Sequence, residues 1–291
     1  MKPAPFEYFR PRSLDEALSL LAEHGDDAKP LAGGQSLIPA MNFRLATPSV
    51  LVDLNEVGEL SYITDDAGGV RIGSMTRQRA VERSRLVLDR APLIAEAMPH
   101  IAHPAIRNRG TIGGSLAHAD PAAELPAVMV ALNARVAVRG KAATREVPAE
   151  EFFVGLFSTA ASPGELVTEV RVPPRPVRSG FAFQEMSRRH GDFAIVGVAA
   201  VVQLDDTGRC GESRIALLSV GDRPMLAEHA AKALTGNPPS DESIRAAADA
   251  AATQDIDPPS DIHASARYRR QLANVLIRRV LRRAFERARQ G

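Results

Sequence analysis

The chain has 291 residues, 45% hydrophobic and 24% charged, and its 36 basic residues nearly balance 35 acidic ones, for a net charge of +1. This is the composition of a globular protein of one or two domains, and it does not favour a general nucleic-acid role. The single cysteine, Cys210, excludes an intrachain disulfide and a cysteine-ligated iron–sulfur cluster within this chain.

The N-terminal residues, the longest apolar run and the cysteine count indicate the cellular compartment of the protein. Residues Met1–Phe6 carry one positive charge followed by prolines, without the apolar segment of a signal peptide. The longest apolar run, Ala194–Val202, has nine residues, whereas a membrane helix needs about 20. One cysteine is typical of a reducing compartment. We therefore expect a cytoplasmic protein, which partners could hold near a membrane.

The first part of the chain predicts helices and short strands in alternation. Ser13 is a good helix N-cap, and Glu16 follows three residues later, as in a capping box. The apolar stripe of this helix ends at His24-Gly25. Short strands are then predicted at Lys29–Ala32, Val50–Leu54 and Val70–Gly73.

The middle of the chain predicts two helices, Ala91–Ile101 and Ala122–Leu132, the second with Pro121 near its first turn. Strands follow at Arg135–Val138 and Leu166–Val172. The proline-rich stretch Pro173–Gly180 then gives the best domain boundary in the chain.

The last part predicts a smaller domain that begins with a three-stranded antiparallel meander. Its strands are expected at Phe181–Ser187, Ala194–Leu204 and Ser213–Val220. Helices follow at Pro224–Leu234, Asp241–Ala252 and from about Asp261 to Arg289. The predicted fold class is α+β, with a larger N-terminal domain and a smaller C-terminal one.

The last predicted helix is strongly basic, with nine arginines between Arg267 and Arg289 against one acid, Glu286. Its expected apolar stripe is formed by Leu272, Val275, Leu276, Arg279 and Val280, so an arginine interrupts it. A solvated basic face is the simplest interpretation, and binding to an acidic partner subunit is the alternative.

Two loops far apart in the chain each combine a pair of adjacent glycines with a nearby small hydroxyl residue: LAGGQS at 31–36 and NRGTIGGS at 108–115. Such loops let backbone N–H groups approach an anion closely, although a tight turn would explain either loop alone. Neither loop has the Lys-Ser/Thr pair of a Walker loop or the GxGxxG fingerprint. As a pair, they suggest one diphosphate held from both sides.

Polar residues surround the second loop. Arg109 could neutralise phosphate charge or form a surface ion pair. Asp120 and Glu124 could complement a helix dipole or accept hydrogen bonds from ligand hydroxyls. Three histidines nearby lack the spacing of a zinc motif, so we expect loop hydrogen bonding and neither a metal site nor catalytic residues: His100, His103 and His118.

Both loops resemble the flavin motifs of one family, the medium, FAD-binding subunits of molybdenum-containing hydroxylases. Residues Ala32–Pro39, followed by Phe43–Leu45 and Leu51–Leu54, resemble its N-terminal flavin segment. Residues Arg107–Ser115, followed by Asp120-Pro121, resemble its second flavin motif. The family includes carbon monoxide dehydrogenase, xanthine dehydrogenase and the N-heterocycle and aryl-CoA dehydrogenases. The resemblance extends over essentially the whole chain.

The resemblance implies a PCMH-type, vanillyl-alcohol-oxidase-like FAD domain over 1–177, with sub-parts of about 1–57 and 58–177. A CO dehydrogenase flavoprotein C-terminal-like domain is implied over 178–291. Non-covalent FAD would be held by the backbone amides of both loops, with Glu124 near the ribityl chain and Phe193 near the isoalloxazine. For Phe193 a core position is equally open. The implied FAD-binding residues are Ala32, Gly33, Gly34, Gln35, Ser36, Thr111, Ile112, Gly113, Gly114, Ser115, Glu124 and Phe193.

Relatives often have His in place of Gln35 and Asp or Asn in place of Ser115. Valine at Gly33 or Gly113 is expected to abolish FAD retention while the chain stays folded. The implied function is electron transfer from [2Fe–2S] clusters of a small partner subunit, through FAD, to an external acceptor. A large partner subunit would carry the molybdenum cofactor and select the substrate, in a dimer of heterotrimers. The alternatives are a stand-alone FAD-dependent oxidase and a flavin-free binding or scaffold module.

Overall fold

The computed structural model describes residues 2–290. Its N-terminal layer is a three-stranded parallel sheet with strand order β1-β3-β2, made of β1 (Glu7–Phe9), β2 (Ala28–Leu31) and β3 (Val50–Asp53). Helix α1 (Leu14–His24) joins β1 to β2, and α2 (Leu37–Asn42) follows β2. Ser13 caps α1 as predicted, accepting from the N–H of Glu16 at 3.2 Å. The Glu16 carboxylate accepts from the N–H of Arg12, so the capping box is shifted by one residue.

The middle layer is a five-stranded antiparallel sheet with strand order β4-β5-β10-β6-β7. Its strands are β4 (Ile63–Asp66), β5 (Gly69–Gly73), β6 (Arg135–Arg139), β7 (Thr144–Pro148) and β10 (Leu166–Val172). A small hairpin pairs β8 (Phe153–Gly155) with β9 (Ser158–Thr159).

Seven short helices connect or cover these strands: α3 (Gln78–Arg83), α4 (Arg85–Arg90), α5 (Pro92–Ala97), α6 (Pro104–Arg107), α7 (Ile112–His118), α8 (Glu124–Ala131) and α9 (Ala149–Phe152). Helix α5 is shorter than predicted and continues as a 3₁₀ turn, Met98–His100, that contains Pro99. Pro121 lies three residues before α8, outside its first turn.

The C-terminal layer is the predicted antiparallel meander, with a fourth strand added at its edge. Its strands are β11 (Ser179–Ser187), β12 (Ala194–Leu204), β13 (Cys210–Leu218) and β14 (Met225–Leu226). Strand β14 lies where the sequence predicts the start of a helix; α10 (Glu228–Leu234) begins only after it. Helix α11 (Asp241–Ala250) continues as a π-helical segment to Asp255, and α12 (Ala266–Ala288) packs across the sheet.

The predicted stripe of α12 is partly wrong. Val275 is half-buried and Arg279 is exposed, because the buried face turns toward β11 and β12. That face is formed by Leu272, Ala273, Leu276, Ile277, Val280, Leu281, Ala284 and Phe285.

The largest core crosses from the middle layer into the C-terminal sheet. It joins apolar residues of β5, β6 and α8 to Phe183, Ala199 and Leu218 of that sheet. Burial of this shared apolar area fixes one sheet on the other. Within residues 2–290, no helix combines the length and the apolar character needed to cross a bilayer.

Candidate functional site

The two glycine loops touch each other in the folded chain. A Cβ on Gly33 would lie 2.4 Å from the carbonyl oxygen of Arg109 and 2.7 Å from Cα of Gly110. On the other side of the contact, a Cβ on Gly114 would lie 3.4 Å from Cβ of Ala32. Side chains at Gly33 would therefore push the loops apart, and the glycines allow backbone to pack on backbone.

The first loop offers a row of open backbone donors. Gly34 has a φ of +71°, in the left-handed region that favours glycine, and the chain then turns into α2. In the described part of the chain, the N–H groups of Gly33, Gly34, Gln35 and Ser36 donate to no protein acceptor. Gln35 donates from Nε2 to the carbonyl oxygen of Gly33 at 2.9 Å, which stiffens the loop. Such a nest of N–H groups suits an anion.

The second loop uses most of its N–H groups inside the protein. Ile112 donates to the Thr76 carbonyl at 3.1 Å and Gly113 to the Ser74 carbonyl at 2.8 Å. Gly114 donates to Oγ1 of Thr111, the N-cap of α7, and Ser115 donates to the Thr111 carbonyl. These four amides are therefore not free to bind a ligand, contrary to the prediction for this loop. The groups that remain available to a ligand are its side chains, above all the Ser115 hydroxyl.

Both loops line one cleft of about 720 Å³. Pockets of 300–1,000 Å³ take ligands of cofactor size. Of the residues predicted to bind FAD, all line this cleft except Ile112, whose side chain is fully buried in the core. Phe193 lies at the cleft and is 70% exposed, so the alternative that it is a core residue is wrong.

Glu124 forms part of the cleft wall and is only 7% exposed. Burial, followed by the negative charge of Glu185, raises its pKa from 4.5 to about 8. As the first residue of α8, Glu124 also feels the helix dipole, which favours its ionised form by only about 0.3–1 kcal/mol. Burial dominates, since one pKa unit corresponds to about 1.4 kcal/mol. Glu124 is therefore mostly protonated at pH 7 and can both donate and accept a hydrogen bond.

Two cleft residues were missed by the sequence reasoning, Ser74 and Gln78. Both line the cleft, and both have a buried oxygen, Oγ of Ser74 and Oε1 of Gln78, without a hydrogen-bond partner in residues 2–290. Buried polar atoms are nearly always paired, so these two are available to a bound polar ligand. Their signal in the sequence is weak: Ser74 is a polar residue directly after the buried strand β5, and Gln78 is the first residue of α3.

The three histidines near the second loop are dispersed in the structure. Nδ1 of His100 lies 3.5 Å from Oε1 of Glu185, and the His118 ring lies 5.1 Å from the ring of Phe157. His103 packs on Gly191, where a Cβ would lie 2.5 Å from its ring. Residues 2–290 contain no group of three or more His, Cys, Asp or Glu placed to hold a metal ion.

Two family models match the chain. Residues 4–175 match the FAD binding domain in molybdopterin dehydrogenase, and residues 181–284 match the CO dehydrogenase flavoprotein C-terminal domain. The alpha subunit of the 6-hydroxypseudooxynicotine dehydrogenase complex of Paenarthrobacter nicotinovorans is 46% identical over 99% of this chain and 97% of that protein.

Carbon monoxide dehydrogenases are similar in both sequence and structure. The medium chain from Afipia carboxidovorans is 40% identical over 99% of each chain. A solved structure of the enzyme from Hydrogenophaga pseudoflava, in a form lacking the Mo-pyranopterin moiety of its molybdenum cofactor, superposes with a TM-score of 0.95. Its matching chain is 40% identical, with 99% of each chain covered.

Proposed function

The chain belongs to the family of FAD-binding medium subunits of molybdenum hydroxylases, and on that premise we propose that it carries electrons from a partner subunit to an external acceptor. Its relatives are dehydrogenase subunits, so it is part of an oxidoreductase, and its cofactor is FAD. The FAD, when bound, supplies a centre that exchanges one or two electrons. The protein positions it and tunes its environment.

The cleft residues fit FAD. The open N–H groups of Gly33–Ser36 form a cradle for a diphosphate. The unpartnered oxygens of Ser74 and Gln78, with the hydroxyls of Ser36 and Ser115, suit the polar groups of a nucleotide and a sugar chain. We assign the neutral Glu124 carboxyl to the ribityl hydroxyls and exposed Phe193 to the isoalloxazine. We expect this FAD to be held non-covalently.

The electron donor belongs to a partner, because this chain has no thiolates to hold a cluster. Its one cysteine, Cys210, is 1% exposed, and burial raises the pKa of its thiol to about 11. A [2Fe–2S] cluster needs several thiolates. We place such clusters on a small partner subunit and the molybdenum cofactor on a large one. The complex would be a dimer of heterotrimers. It would work in the cytoplasm, where partners could hold it near a membrane.

Two other functions are less well supported. A stand-alone FAD oxidase needs its own substrate pocket and base, yet the cleft is lined by both flavin loops and its one strongly shifted carboxyl, Glu124, is buried. A flavin-free scaffold would have no reason to keep Gly33 packed on the second loop and a row of open donors beside it.

The test is the flavin content of the purified full chain, measured as flavin absorbance per protein before and after incubation with FAD. We expect one FAD per chain, released by acid because it is not covalently bound. A folded chain that takes up no FAD would contradict the proposal. Turnover of a substrate by the chain alone would favour the oxidase, whereas co-purification with molybdenum- and iron-containing subunits supports the electron-transfer role.

A further inference from the structure

A chain of hydrogen bonds joins the two glycine loops through Asn55 and Arg77, neither of which lines the cleft. Asn55 donates from Nδ2 to the carbonyl oxygen of Ala32 at 3.0 Å. Its Oδ1 accepts from Nη2 of Arg77 at 2.6 Å, and Nη1 of Arg77 donates to the carbonyl oxygen of Arg109 at 2.5 Å. One guanidinium thus holds the second loop directly and the first loop through Asn55. We call Asn55 and Arg77 the loop clasp.

The clasp is anchored at the end of β3. Oδ1 of Asp53 accepts from the backbone N–H of Asn55 at 3.0 Å and from its Nδ2, and the hydroxyl of Tyr8 donates to Oδ2 of Asp53. Asp53 is 7% exposed. Because Asn55 Nδ2 meets acceptors and Oδ1 meets a donor, the orientation of its amide is fixed.

The clasp acts where the loops make contact. The Arg109 carbonyl oxygen that Arg77 holds is the atom on which Gly33 packs. The Ala32 carbonyl that Asn55 holds directly precedes Gly33 in the chain. The clasp therefore fixes both sides of the loop contact, and with it the distance between the N–H cradle of the first loop and the side chains of the second.

The clasp also places positive charge at the loop junction. Arg77 is half-buried and Arg109 is exposed, and neither forms an ion pair with a carboxylate in residues 2–290. Burial, followed by the like charge of Arg109, lowers the pKa of Arg77, and Asp53 opposes this. An anion at the junction would relieve the repulsion between the two guanidinium groups.

We propose that Asn55 and Arg77 are positioning residues that set the spacing of the two glycine loops for one diphosphate. Arg77 also stabilises that diphosphate electrostatically. The ligand class rests on the proposed function, since FAD is the diphosphate compound of this family. The mechanical part, in which the clasp fixes the loops, stands on the hydrogen bonds alone.

Hydrogen exchange on the full chain without FAD tests the mechanical part. The amides of Ile38 and Ala40 donate to carbonyls of the first loop, and those of Gln78 and Gly110 report on the second. Asn55→Ala should speed exchange at the first pair only, and Arg77→Ala at both pairs, about tenfold or more. The control, Arg85→Ala, removes an exposed arginine that pairs with Asp89 within α4 and should change neither. Unchanged exchange at both pairs in Arg77→Ala overturns the clasp.

A second variant covers the case in which Arg77→Ala fails to fold, which faster exchange throughout β10 would reveal. Arg77→Lys keeps the charge but has one ammonium group, which cannot reach both acceptors in the forked geometry of a guanidinium. It should speed exchange at the Gln78 and Gly110 amides or at the Ile38 and Ala40 amides while β10 stays protected. Wild-type exchange at all four amides in Arg77→Lys also overturns the clasp.

Ligand affinities test the diphosphate part. For Arg77→Ala we expect the dissociation constants of FAD and ADP to rise about tenfold to a hundredfold, while that of riboflavin, which has no phosphate, stays unchanged. Arg77→Lys should lie between. Equal losses for FAD and riboflavin, or wild-type affinity in every variant, overturn the assignment. If the wild-type chain binds no FAD, the proposed function fails, and the exchange experiment still decides the clasp.

Discussion

Glu96 on α5 accepts a hydrogen bond at Oε2 from Nη1 of Arg287 on α12, 2.6 Å away, although 191 positions separate the two residues. The other oxygen of Glu96, Oε1, accepts from the N–H of Phe183 in β11 at 3.2 Å and lies 3.4 Å from Nη1 of Arg283. One carboxylate thus connects the middle layer to both the sheet and the helix of the C-terminal layer. This explains part of the basic character of α12, since several of its arginines pair within the chain.

Replacing Glu96 should weaken this connection. Glu96→Ala leaves two guanidinium groups without their carboxylate and the Phe183 N–H without an acceptor, so we expect the free energy of unfolding to fall by about 2 kcal/mol. Urea unfolding measures it. Glu286→Ala, which removes an exposed acid from the same helix, is the control and should cost less than about 0.5 kcal/mol. Equal losses in both variants would contradict the role of Glu96.

The protonated state of Glu124 predicts a pH-dependent stability. Its folded pKa, about 8, lies above the ordinary value of 4.5, so unfolding releases a proton, and raising the pH between these values favours the unfolded chain. Glu124→Gln cannot ionise, so it should lose less stability than the wild type over this range, and the difference should reach about 4 kcal/mol at pH 8. Below about pH 4.5 the two proteins should respond alike.

Urea unfolding at a series of pH values from 4 to 9 measures this difference, with Glu151→Gln, an exposed acid on α9, as the control. Parallel pH profiles for the wild type and Glu124→Gln would mean that Glu124 is ionised in the folded protein. The FAD-free chain should be used, so that the profile reports on the protein alone.

The two glycines that the sequence treats alike should behave differently. A Cβ on Gly33 meets the second loop, whereas a Cβ on Gly113 would lie 2.3 Å from Cβ of Ser74, inside the packing of α7. We therefore expect Gly33→Ala to lose FAD affinity with a folded chain, and Gly113→Ala to lose stability by about 1–3 kcal/mol. This revises the expectation that valine at Gly113 leaves the chain folded.

Circular dichroism, thermal unfolding and flavin titration separate the two glycine variants. Gly58→Ala is the matched control, because a Cβ there has no atom within 4 Å. If Gly33→Ala bound FAD as the wild type does, the close contact between the loops would not matter for the cofactor.

Phe193 tests the assignment of an aromatic residue at the cleft. Because its side chain is 70% exposed, Phe193→Ala should change the free energy of unfolding by less than about 0.5 kcal/mol while altering the fluorescence and absorbance of bound FAD. Phe183→Ala, at a position 2% exposed, should cost about 3–5 kcal/mol. An unchanged flavin spectrum in Phe193→Ala would remove this residue from the site.

The sequence predicts best those elements that local pattern determines. Strands β10 and β12 have the predicted bounds because both are mostly buried: β12 contains the apolar run Ala194–Val202, and β10 is rich in β-branched valine and threonine. Strands β1, β4 and β7 were missed, since they lie at sheet edges with mostly exposed or half-buried side chains and owe their form to pairing with distant residues. Strand β14, where the sequence predicts the start of a helix, is likewise an edge strand that owes its form to pairing with β13.

The residues of the candidate site also fall into those that local sequence predicts and those that only the folded structure reveals. The glycine motifs were found because backbone chemistry requires those residues at those positions. Ser74 and Gln78 were missed because their local sequence does not show that their side-chain oxygens will lie buried and unpartnered in the wall of the cleft. Asn55 and Arg77 were missed because their role depends on a contact between loops about 75 residues apart, which only the folded chain brings together.

The buried position of Cys210 has a practical consequence for any assembly that contains this protein. A maleimide or other thiol-reactive dye needs an accessible thiolate, and the one thiol here is enclosed by the C-terminal core. Label attached to a native complex would then report on the neighbouring subunits alone. Because this protein would take up no label, the number of dyes bound would equal the number of accessible cysteines on those subunits.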